Sequence, residues 1–67
     1  MKINKEYEWG YKRGYDFAQY EGGTTAQVVG ELKNRGISIR TTYGVAFKQG
    51  VKDCRDGKPR QYTYYDN

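Results

Sequence analysis

Sixty-seven residues bound this chain to one domain, 1–67, near the lower size limit for folding alone. It has no histidine and one cysteine, Cys54, which excludes an intrachain disulfide and the usual zinc spacings; the formal charge of +4 points toward a polyanionic partner. The opening MKINKEYEWGYKRG lacks the apolar core of a signal peptide, no run of ~18 apolar residues exists to span a membrane, and the lone thiol fits a reducing compartment, so a cytoplasmic location is expected.

The first segment, residues 3–21, predicts a helix. Tyr7, Tyr11, Tyr15 and Ala18 recur at helical spacing, and Ile3 extends that stripe backwards. Gly10 and Gly14 lie beside it. Each costs up to ~1 kcal/mol of helix propensity, which close approach of another backbone to a flat strip of helix would offset. Lys5, Lys12 and Arg13 decorate the remaining surface. Gly22-Gly23 ends the segment, since glycine takes the left-handed cap conformation without strain. The tyrosine stripe is most simply core, because each aromatic buries a large area in a small domain; stacking on unpaired bases would need exposure instead.

Thr24 or Thr25 caps the next predicted helix, AQVVGELKNR, by accepting from an otherwise unpaired amide. Val28, Val29 and Leu32 form its buried stripe, Gly36 stops it, and Ile37 drops into the core. Ser38 then starts a third helix over residues 39–50. Ile39, Tyr43, Ala46 and Phe47 share its inner face. Arg40, Thr41, Gly44, Lys48 and Gln49 share the outer one, and Gly50 closes it. From Val51 the pattern becomes partly alternating. Residues 51–54 and 60–65 flank an Asp56-Gly57 turn dipeptide and predict a two-stranded hairpin. The expected fold is mainly α, three helices with a small C-terminal β-hairpin.

Charge is unevenly spread. Residues 1–32 hold four Lys/Arg against five Asp/Glu, and residues 33–67 hold eight against three. The basic half coincides with the two later helices and the hairpin. Within it, Thr25-Ala26-Gln27-Val28-Val29, Leu32, Gly36-Ile37-Ser38, Thr41-Thr42-Tyr43, Phe47 and Gly50, followed by Asp56-Gly57-Lys58-Pro59-Arg60-Gln61-Tyr62, resemble the winged helix-turn-helix of MerR-like and excisionase-like DNA-binding proteins. That resemblance implies a recognition helix over 39–50 and a wing over 51–65 gripping backbone. Arg40 would reach base edges from the first turn of the recognition helix. Ser38, Thr41 and Thr42 would donate to phosphates, helped by the helix dipole. Lys48 would extend the contact, Arg55, Lys58 and Arg60 would hold the neighbouring backbone, and Lys33 and Arg35 would touch phosphates from the turn. The competing reading leaves these cations simply solvated.

A second resemblance rests on an internal echo, Tyr11-Lys12-Arg13-Gly14-Tyr15 against Phe47-Lys48-Gln49-Gly50-Val51. These aromatic-Gly motifs are similar to the paired helices of ribosome modulation factors, which bind ribosomal RNA.

Catalysis finds no constellation. Cys54 has no histidine to activate it. The carboxylates are scattered, and Glu6 and Glu8 point apart on a helix. Gly22-Gly23-Thr24-Thr25 lacks the lysine of a phosphate-binding loop. The sequence therefore predicts a non-enzymatic binding protein without cofactor or metal. Double-stranded DNA is its expected partner, and it is expected to act as a dimer or to bind cooperatively because one small module covers little DNA. Its size and composition suggest a regulator from a phage or mobile element. The other class is an interaction protein that blocks a host enzyme or defence complex through an aromatic and basic surface.

Overall fold

The computed structural model describes residues 2–60 and 65–66. In chain order these form β1 (Lys2–Ile3), α1 (Lys5–Tyr20), α2 (Thr25–Asn34), α3 (Thr42–Arg55) and β2 (Tyr65–Asp66). The two short strands pair antiparallel, Lys2 with Asp66 and Ile3 with Tyr65. The chain is thus mainly helical, with three helices as expected.

Helix α1 begins where the Asn4 side chain accepts from the Tyr7 amide. Ile3 belongs to β1 rather than to the tyrosine stripe. The helix ends at the glycine pair, where Gly22 donates to the Phe17 carbonyl. Helix α2 starts with a capping box: Thr24 Oγ1 accepts from the Gln27 amide at 3.2 Å, and Gln27 Oε1 accepts from the Thr24 amide at 3.1 Å. Gly36, at φ 69°, lets the chain turn out of the helix while the Ile37 amide returns to the Leu32 carbonyl at 2.9 Å.

The third helix differs from the expectation at both ends. Thr41, not Ser38, is the N-cap, accepting from the Gly44 amide at 3.0 Å. Ser38 instead holds the preceding turn: its Oγ accepts from the Arg40 amide, and its carbonyl accepts from Thr41 Oγ1 at 2.7 Å. Gly50 does not close the helix. It lies buried in its middle, and α3 runs on through Arg55. Residues 51–54, expected as a first hairpin strand, are therefore helical. Backbone packing decided this: Gly50 is where α3 needs a bare Cα, and Val51 has core to enter. The second expected strand, 60–65, lies largely outside the described residues.

The reason is visible at the α1–α3 crossing. A methyl on Gly14 would collide with the Phe47 carbonyl, and one on Gly50 with the Tyr11 carbonyl. The two halves of the sequence echo seat on each other reciprocally, aromatic carbonyl against glycine. Gly10 meets Tyr43 in the same way. This is the close backbone approach that the glycines of α1 foreshadow. Around the crossing, Phe17, Val28, Leu32, Phe47 and Val51 form one apolar cluster, with Ile37 and Tyr43 packed against it. Tyr11 and Ala46 form a second, flanked by Tyr7 and Tyr15. Of the tyrosine stripe, Tyr7 and Tyr15 are half-buried and Tyr11 is core, as expected. Val29 and Ile39 are not; each is 45 % exposed.

Candidate functional site

Because α1 covers one side of α3, the opposite side faces outward. Thr41, Val45, Lys48, Lys52 and Arg55 recur there at spacings of four, three, four and three, and all are exposed. Lys52 was not among the expected contact residues. The longer helix brings it into line, with Arg55 one turn beyond.

Beside this stripe runs a groove of about 590 Å³ between α2 and α3. Val28 and Val51 form its floor, and Val29, Ile39 and Val45 line it with partly bare side chains. Lys48, Lys52 and Arg55 stand at its edge. Arg55 is held in place, donating to the Gly23 carbonyl at 2.9 Å, and Lys52 pairs with Asp56 at 3.4 Å one turn on. Lys48 makes no ion pair among the described residues.

The other expected contact residues are divided. Arg40 is exposed but lies in the turn before α3, so it does not occupy the first turn of a recognition helix. Thr41 and Thr42 do stand at the α3 N-terminus, Thr41 as cap. Lys33 is exposed in the last turn of α2. Arg35 is tied to Glu31 at 2.5 Å, and that bond raises its already high pKa. Arg55, Lys58 and Arg60 do not share a hairpin tip. Arg55 ends α3. Lys58 follows the turn at Gly57, and its carbonyl accepts from the Tyr15 hydroxyl at 2.6 Å. Arg60 pairs with Asp16 and sits 5.0 Å above the Tyr15 ring, so it fastens the segment after α3 to α1.

The sequence also concealed a buried polar centre. Asp53, one of the scattered carboxylates, is only 5 % exposed. It accepts from the Tyr11 hydroxyl at 2.6 Å and from Gln49 Nε2 at 2.7 Å. Helical periodicity extended to residue 55 would have found it, because Asp53 falls seven residues after the inner-face Ala46 and three after the buried Gly50. Among the described residues no three His, Cys, Asp or Glu side chains converge to hold a metal ion, and no helix is long and apolar enough to cross a membrane. Comparison with protein-family models, with curated proteins and with solved structures finds no match to this chain.

Proposed function

We propose that the protein binds double-stranded DNA through the outward face of α3, as a small regulator of the excisionase-like kind. One observation carries this reading: Lys48, Lys52 and Arg55 share an exposed stripe on the side of α3 that α1 leaves open. The stripe spans about 10 Å at the helical rise of ~1.5 Å per residue. Cations so placed neutralise phosphates and release counterions. Thr41 and Thr42, at the positive end of the helix dipole, add donors for a further phosphate. Arg40 adds an exposed cation from the turn that precedes this end, and Lys33 one from the last turn of α2. Arg35 and Arg60 are left out of the contact because neither stands on the α3 face, Arg35 being tied to Glu31 of α2 and Arg60 to Asp16 of α1; Lys52 stays on the face, since its 3.4 Å pair with Asp56 is exposed and weak.

A second reading, structured RNA, draws support from the reciprocal seating of Gly14 and Gly50, which pairs the two aromatic-Gly motifs face to face. Fluorescence anisotropy with labelled duplex DNA, duplex RNA and single strands at two salt concentrations separates the two. Duplex DNA is expected to bind most tightly and to weaken steeply with salt. Lys48→Ala is expected to cost roughly fivefold in affinity, ~1 kcal/mol. Preference for duplex RNA would replace the first reading by the second. No binding to any probe at low salt would end both.

A further inference from the structure

Five large apolar side chains are exposed among the described residues: Trp9, Tyr20, Val29, Ile39 and Val45. Three of them, from α2, the turn and α3, line the groove beside the α3 stripe. Contiguous bare apolar surface with a polar rim is the signature of a protein interface. Phosphate backbone has nothing to offer it. The three side chains are β-branched and stiff, so covering them costs little rotamer freedom. The charge of the rim is one-sided, with Lys48, Lys52 and Arg55 against Asp56 alone.

We infer that this groove is a docking site for an amphipathic helix of a partner protein, with aliphatic residues on its inner face and Asp or Glu along its flanks. Charge complementarity sets the acidic flanks, and the valine and isoleucine walls set the aliphatic face. A helix fits better than an extended peptide because the groove is walled by two helices and a turn. Their backbone groups offer no strand edge for an added strand, whereas a helix arrives with its own backbone bonds made. The outward face of α3 from Thr41 to Arg55 is about 21 Å long, which matches roughly four turns of a partner helix. Such a helix takes up Lys48 and Lys52, so it excludes a nucleic acid from the same stripe. The docking stands on the groove alone; the exclusion rests on the duplex reading above.

The test uses the full chain, isotopically labelled for NMR, and a synthetic 14-residue peptide carrying Leu at i, i+3, i+4 positions and Glu between them. Two control peptides replace every Leu by Ser, or every Glu by Lys. Saturable binding of the Leu/Glu peptide is expected, with shifts confined to the groove around Val29, Ile39, Val45 and Lys48. The double change Val29→Ser and Ile39→Ser, at groove residues outside the α3 stripe, is expected to weaken it at least tenfold while leaving the melting temperature and duplex affinity nearly unchanged. Added peptide should displace labelled duplex from the unaltered protein. The docking is overturned by equal binding of the Ser control, which would mean charge alone, by shifts centred elsewhere, or by no saturable binding. If the peptide docks and no duplex binds, the docking stands and the nucleic-acid reading falls; the reverse result removes the docking alone.

Discussion

Asp53 shows how much a single side chain depends on its surroundings. Its carboxylate lies in the interior, yet both oxygens are engaged, one by the Tyr11 hydroxyl and one by Gln49. A buried charge is tolerable only with such bonds. Tyr11→Phe removes one donor and is expected to cost about 1–3 kcal/mol in urea unfolding. Nearby Tyr7 feels the same carboxylate. Burial first, and the charge of Asp53 second, raise its pKa above the ordinary 10.0. The folded protein therefore keeps a phenol proton that the unfolded chain releases at 10.0. Stability from this group is full below 10.0 and falls as pH climbs through the folded value. Tyr7→Phe should lose less stability than the unaltered chain between pH 9 and pH 11, measured as the shift in urea midpoint. Equal losses would remove Tyr7 as the source.

Among the elements, α1 and α3 are held together by what they lack. Gly14 and Gly50 let each helix press on a carbonyl of the other, so the helix propensity they forgo returns as packing. Gly14→Ala forces a methyl against fixed backbone and is expected to cost at least about 1–3 kcal/mol. Gly30→Ala is the contrasting case. Gly30 lies inside α2 with no neighbouring atom within 4 Å of an added methyl, so alanine there should stabilise by up to ~1 kcal/mol. Thermal melts of the two variants should move in opposite directions. The Gly10–Gly14 strip was legible in the sequence because glycine at helical spacing has few other uses. The true extent of α3 was not. Gly50 looks like a stop when the partner backbone pressing on it is unseen, and Asp56-Gly57 looks like a hairpin tip although it is the turn after a helix. Ser38 and Thr41 are both good caps by composition. The turn that Ser38 itself stabilises hands the cap to Thr41.

The whole molecule is flat, with extents of 34 × 27 × 13 Å, and α1 and α3 each keep one bare side. Charge follows that division. The α3 side carries Lys48, Lys52 and Arg55, whereas Arg60 is tied to Asp16 of α1 and Arg35 to Glu31 of α2. Three phosphate contacts imply a slope of log affinity against log salt of about −3, at ~0.9 per contact on duplex DNA. Lys48→Ala should flatten it by about one. A slope that the variant leaves unchanged would place the nucleic acid elsewhere. Of the ten contact residues expected from the sequence, Thr41, Thr42, Lys48 and Arg55 stand on α3, Arg40 lies in the turn just before it, and Lys33 is exposed at the end of α2. Ser38, Arg35, Lys58 and Arg60 are drawn into turns, an ion pair or the α1 surface. Periodicity places residues on a face, but whether that face is free depends on contacts made across the chain.

By itself the sequence determined the three helices, the cap of the second at its threonine pair, the turn at Gly36 and the burial of Tyr11, because caps, left-handed glycines and apolar spacing act within a few residues. Only the tertiary structure decided that α3 reaches Arg55, that Asp53 is interior, and that Val29, Ile39 and Val45 are left bare beside three cations. Each of these depends on partners distant in the chain, above all on α1 pressing against Gly50.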